Sequence, residues 1–137
     1  MYKSETSVRV RYAETDQMGY VYYGNYAIYY EVARVESFRQ LGLNYKELED
    51  AGVLMPVLEH YTRFIAPARY DEVLRIITSI AEMPGTRIKF SYEIFNEANK
   101  MINTGETTLV FIDKQSGRPT KRPEVMAKLL EPYLNEI

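Results

Sequence analysis

Apolar and polar residues alternate over 6–12. Val8, Val10 and Tyr12 fall on one side and Arg9 and Arg11 on the other, which predicts a half-buried strand. A loop follows over 13–24, carrying Asp16, Gly19 and Gly24. Asn25 then reads as an N-cap, and the residues up to Leu41 as a helix stopped by Gly42. The first half of that helix has no plain polar face. Ala27, Ile28, Tyr29, Tyr30, Val32, Ala33 and Val35 surround it, so other structure is expected to wrap it. Glu31 and Arg34, three residues apart, are expected to form a buried pair. Asn44-Tyr45-Lys46-Glu47 resembles a capping box and opens a short helix that Gly52 ends.

Four strands are predicted next, over 53–64, 71–81, 87–96 and 100–113. Pro56 keeps the start of the first at an edge or bulge, and Pro84-Gly85 and the segment 96–99 supply turns. Long strands joined by short turns predict a large antiparallel meander. A polar, basic loop over 115–122 leads to Pro123, which suits a first helical turn. Val125, Met126, Leu129, Leu130 and Tyr133 then make a short amphipathic helix. The fold class is therefore α+β, a long curved antiparallel sheet around one central helix. A single layer of sheet leaves a face or an edge in need of cover, so at least a dimer is expected.

Composition narrows the chemistry. At 137 residues the chain suits one domain, 1–137, with a core of its own. The absence of Cys excludes disulfides, thiolate metal sites and a Cys nucleophile. A single His, His60, excludes a multi-His metal site within one chain. A formal net charge of −2 gives no reason to expect a nucleic acid or an anionic membrane as partner. No stretch is long and apolar enough to span a bilayer, and the first residues lack a secretory h-region, so a cytoplasmic location is expected. Any catalysis must rest on carboxylates, hydroxyls, backbone amides or one imidazole. The Tyr-rich stretch from Tyr20 to Tyr30 is expected to fill core, subunit interface or pocket rather than to stack bases.

The segment Tyr12-Ala13-Glu14-Thr15-Asp16-Gln17-Met18-Gly19-Tyr20-Val21-Tyr22-Tyr23-Gly24-Asn25-Tyr26, with Tyr30-Glu31-Val32-Ala33-Arg34 after it, is the most distinctive part of the chain. It resembles the hotdog-fold acyl-CoA thioesterases of the 4-hydroxybenzoyl-CoA thioesterase type. The run Phe64-Ile65-Ala66-Pro67-Ala68-Arg69-Tyr70-Asp71-Glu72 resembles the same family. The resemblance implies hydrolysis of an acyl-CoA to a free acid and coenzyme A. Asp16 would act as general base or nucleophile, and the backbone amides of Tyr23 and Gly24 would polarise the thioester carbonyl. Asn25 and Glu31 would support substrate binding from the helix. Arg87, Lys89, Arg118, Lys121 and Arg122 would meet the phosphates of coenzyme A. No metal and no separate cofactor is implied, and the expected assembly is a homodimer or homotetramer with sites between subunits. Many relatives carry His where this chain has Tyr23, and that ring would line the acyl pocket here. Two other readings share the fold: an acyl-carrier-protein thioesterase and a non-catalytic acyl-CoA binding protein. His60, alone on its strand, is expected to be structural or at the surface.

Overall fold

The computed structural model describes residues 1–134; residues 135–137 of the expected domain lie outside it. In chain order the elements are β1 (Tyr2–Arg9), a 3-10 turn (Tyr12–Glu14), α1 (Asn25–Leu41), α2 (Tyr45–Asp50), β2 (Val53–Leu54), β3 (Val57–Phe64), β4 (Val73–Ile80), β5 (Arg87–Phe95), β6 (Met101–Val110), β7 (Ile112–Asp113) and α3 (Glu124–Leu130). Five strands form one antiparallel sheet in the order β1-β4-β5-β6-β3, and β2 pairs with β7 beside it. Helix α1 lies across the sheet. Its Tyr26, Tyr29, Tyr30, Ala33, Ser37, Phe38 and Leu41 recur at helical spacing and are buried against Leu74 and Ile76 of β4 and Ile88, Phe90, Tyr92 and Ile94 of β5. The helix ends where its cap was expected, and Gly42 takes the left-handed conformation at φ 102° that closes it.

Four expectations change. The first strand is Tyr2–Arg9, not 6–12. Its inward positions include Ser4 and Thr6, so polarity hid its start, while the ladder with β4 runs out at the Arg9–Val73 pair. Tyr12, placed inside by alternation, is 77% exposed and stands edge-on to Tyr70 instead. The stretch 53–64 is two strands broken at Met55-Pro56, because proline cannot donate to a ladder. The sheet is not a simple meander either. After β3 the chain crosses the end of the sheet through 65–72 and enters β4 between β1 and β5, leaving β3 at the far edge beside β6.

The wrapping of α1 is one-sided within the chain. Ile28 and Val32 remain exposed, as do Leu58, Tyr61 and Phe64 of the edge strand β3. No helix among the described residues is long and apolar enough to cross a membrane.

Close approach of α1 to β6 depends on Gly105. A Cβ there would lie 2.7 Å from Tyr30 Cε2 and nearer still to the phenol end of that fully buried ring. Tyr30 in turn stacks on Tyr92, with ring centroids 4.2 Å apart. Gly105→Ala should therefore destabilise the protein by about 1–3 kcal/mol through overpacking. Urea unfolding followed by tyrosine fluorescence checks this, and an unchanged midpoint would disprove the contact.

Candidate active site

The loop between β1 and α1 closes on itself before the helix begins. Thr15 and Val21 form an antiparallel bridge, Asp16 N donates to Tyr20 O at 2.8 Å, and Tyr22 N donates to Glu14 O at 2.9 Å. Gly19 sits at φ 79° near the tip, where a non-glycine residue would be strained. The loop is fastened to the crossing segment as well, through Val21 N to Ala68 O at 2.8 Å.

Asp16 occupies this loop as a half-buried residue. Its Oδ1 accepts from Met18 N at 2.9 Å and from Tyr20 N at 3.3 Å, an Asx-type turn that fixes the carboxylate. Its Oδ2 has no hydrogen-bond partner among the described residues. One oxygen is thus spent on orientation and the other is available. The same carboxylate lines an apolar cavity of about 320 Å³. Tyr23, Tyr26, Phe64 and Ala66 supply much of the remaining wall, with Tyr26 and Phe64 packed edge to face at 5.2 Å. Burial pushes the Tyr26 hydroxyl up to about 12, so it stays a neutral phenol at physiological pH.

The amino end of α1 faces the same place. Asn25 N and Tyr26 N are occupied by Tyr22 O and Tyr23 O, at 2.9 and 3.3 Å. The amides of Tyr23 and Gly24 have no acceptor among the described residues. Two donors therefore stand open at the positive end of a helix dipole. The cap itself is Gly24, in right-handed helical conformation, and Asn25 is the first helical residue rather than the N-cap. The Asn25 side chain has a different use: Nδ2 donates to Glu14 O at 2.8 Å. Gly24 matters for space rather than for φ, since a Cβ there would press on the Tyr22 ring at 3.2 Å.

Other expected residues fall elsewhere. Glu31 is exposed on α1 and makes no pair with Arg34. Arg34 is 7% exposed and donates to Tyr92 Oη at 3.2 Å beside Tyr45, because its side chain points into the core and Glu31 points away from it. His60 lies exposed on β3, its ring 5.6 Å from that of Tyr30. Lys89 pairs with Glu106 at 3.3 Å. Arg122 donates to Pro84 O at 2.7 Å and so ties its loop to the turn before β5. Arg87, Arg118 and Lys121 are exposed. All five basic residues lie toward the opposite end of the strands from Asp16 in the same chain. Thr120 and Arg122 hydrogen-bond to Phe111 and Gly85, whereas the Asp16 loop is bound to 68–72 at the entry to β4. A nine-residue strand such as β5 spans roughly 30 Å at about 3.3 Å per residue.

Glu14 was not singled out from the sequence. It is 6% exposed, and its carboxylate is held by Arg11 and by the Tyr29 hydroxyl. Burial alone would raise its carboxyl, but these donors outweigh burial and hold it below the ordinary value of 4.5. The signal that could have revealed it is the spacing Arg11-x-x-Glu14 across a short turn. A depressed folded-state value means stability that is present above the unfolded value and lost as pH falls through the folded one. The thermal midpoint of wild type should therefore exceed that of Glu14→Gln at pH 7, and the gap should narrow as pH falls below 4.5. A gap independent of pH would contradict the ionised clamp.

A family model described as the thioesterase-like superfamily matches residues 10–130. The acyl-CoA thioester hydrolase YbgC of Escherichia coli is 35% identical over 85% of this chain and 87% of its own length. A DHNA-CoA thioesterase structure from Staphylococcus aureus superposes with a TM-score of 0.85 at 34% identity, covering 97% of this chain and 84% of that one. The acyl-acyl carrier protein thioesterase ATL2 of Arabidopsis thaliana is 32% identical over 87% of this chain and 63% of its own length.

Proposed function

The chain belongs to the thioesterase-like superfamily with its hotdog fold, and on that premise we propose that it is an acyl-CoA thioester hydrolase using Asp16. One observation carries the assignment of residues. Asp16, with its unengaged Oδ2, and Tyr23, whose open amide is followed in the chain by that of Gly24, line one apolar cavity. The acyl group enters that cavity with its carbonyl oxygen on the two amides. As negative charge develops on this oxygen the amides stabilise it, by about 2.7–4 kcal/mol for a single donor in comparable sites. Asp16 either takes a proton from the attacking water or attacks the carbonyl carbon itself to form an anhydride that water opens. In both routes a C–O bond replaces the C–S bond, and coenzyme A leaves as the thiol. Coenzyme A belongs to the substrate, and the proposed chemistry draws on no metal or further cofactor. A cytoplasmic location is part of the reading, supported by a chain without Cys.

The reading also includes a homodimer, alone or doubled to a tetramer. The support is β3, an unpaired edge strand whose Val57, Leu58, Tyr61 and Phe64 are exposed next to Ile28 and Val32 of α1. Antiparallel pairing of two β3 strands about a two-fold axis lays the Val57 end of one subunit beside the Phe64 end of the other. The partner's basic end then approaches this chain's Asp16 end. That arrangement lets Arg87, Lys89, Arg118 and Lys121 serve the phosphates of a substrate held by the neighbouring subunit, a role no single chain allows. Acyl-carrier-protein thioesters are the second reading, favoured by the similarity to the Arabidopsis protein.

Asp16→Asn should lower thiol release from acyl-CoA by about 10²-fold or more in a folded protein. Full activity in the variant would remove Asp16 from the mechanism. In a single turnover in H₂¹⁸O, label in Asp16 marks an anhydride opened at the Asp16 carboxyl carbon. Charge reversal at Arg87 should raise KM for acyl-CoA while sparing the acyl-pantetheine analogue, which lacks the nucleotide. Equal losses on both substrates would refute phosphate contact. Sedimentation should give a dimer or a multiple of it.

A further inference from the structure

The hydrogen bonds of Glu14 saturate it. Oε1 accepts from Arg11 N and from Tyr29 Oη, each at 2.9 Å. Oε2 accepts from Arg11 Nε at 3.1 Å and Nη2 at 2.8 Å. A carboxylate offers about four lone-pair sites, so nothing remains for substrate or proton transfer. The carbonyl of the same residue accepts from Tyr22 N at 2.9 Å and Asn25 Nδ2 at 2.8 Å.

These bonds have a definite place in the chain path. The pairing of Tyr22 with Glu14 forms the neck of the closed loop. Asp16 lies two residues beyond the neck on one side. Tyr23 and Gly24 follow directly on the other, before α1 starts. Tyr29, buried in the second turn of α1, holds the neck to the body of the helix. The carboxylate and the open amides are therefore referred to each other through one residue that touches neither.

We infer that Glu14 is the positioning residue of this site, setting the Asp16 carboxylate against the Tyr23 and Gly24 amides. The inference rests on the reading of the site as a thioester hydrolase. Misplacement of reacting groups by about 1 Å can cost on the order of 10²-fold in rate, which sets the size of the effect. Substrate is held by the apolar cavity, of which Glu14 is not a wall. Its loss therefore falls on turnover rather than on binding.

Glu14→Gln keeps the size of the side chain and removes the charge that Arg11 requires. Its kcat should fall about 10- to 100-fold with KM changed less than about 2-fold. In an Asp16→Asn background the same change should cost less than about 2-fold further, because the misplaced group is already gone. A merely structural residue would instead lower both backgrounds alike. Additive losses, an unchanged kcat, or a loss confined to KM would each overturn the inference. Should Glu14→Gln fail to fold, Tyr29→Phe removes only one donor and should lower kcat about 3- to 10-fold; a folded Tyr29→Phe with full activity also overturns it. A readout independent of turnover keeps the two readings separable. In Glu14→Gln the ¹⁵N–¹H resonances of Asp16, Tyr23 and Gly24 should move together. Changes limited to Arg11 and Tyr29 would refute the coupling even if the wild type hydrolyses no thioester, and that last result would count against the proposed function alone.

Discussion

The distance between α1 and β6 governs the rest of the molecule. A helix carrying tyrosines on its buried side could not lie flat on a sheet of large residues. Gly105 opens a slot in β6, and the Tyr30 phenol fills it, hydrogen-bonded to Asn103 and to Thr62 Oγ1. That one insertion sets the height of the helix and ties the edge strand β3 to it through Thr62. Tyr92, stacked on Tyr30, bonds onward to Thr107 at 2.5 Å and receives Arg34. A seam of phenols, amide and hydroxyls thus crosses the core under the helix. The hydroxyls of Tyr30, Tyr92, Thr62 and Thr107 and the Asn103 amide bond to one another, while Arg34 Nε at the end of the seam has no partner among the described residues. Burial pushes the hydroxyls of Tyr30 and Tyr92 up to about 12, so the seam stays neutral apart from the guanidinium at its end.

The site inherits its geometry from this arrangement. Because α1 is seated by Tyr30, its amino end projects past the sheet to where the loop from β1 returns. The loop contributes the carboxylate and, where it runs into the helix, the donors; the crossing segment after β3 contributes part of the apolar wall. Two segments distant in sequence, the loop running into α1 and the crossing after β3, meet there without a metal-ligating cluster of His, Cys, Asp or Glu among the described residues. The charges nearest the proposed reaction are then one carboxylate and a helix dipole, with Glu14 and Arg11 neutralising each other behind them.

Much of this was legible in the sequence, and the exceptions share a cause. The span of α1, its stop at Gly42 and the existence of the long strands follow from short-range periodicity and from residues with special backbone preferences. The Asp16 loop stood out by its motif. What periodicity does not encode is which strand pairs with which, so the position of β3 beside β6 was missed. Ser4 and Thr6 point inward on β1 without looking apolar. Arg34 lies 58 residues from Tyr92, and no local spacing announces a phenol as the partner of a buried cation. Glu14 was not singled out, because its burial is created by the return of a loop and the side of a helix.

The two margins of the sheet are chemically unlike. Along β1 the outward positions are Lys3, Glu5, Ser7 and Arg9, with Glu5 bound to Arg75 and Arg9 to Asp71. Charged side chains of this kind discourage a foreign strand from docking. Along β3 the exposed Val57, Leu58, Tyr61 and Phe64 stand among Glu59, His60 and Arg63, so charge does not dominate this margin. A chain with one sealed and one open margin cannot template indefinite growth: association through the open margin consumes it on both copies at once. In the proposed pairing of two β3 strands, the asymmetry between the two edges would act as a terminator, separating a finite assembly from a fibre.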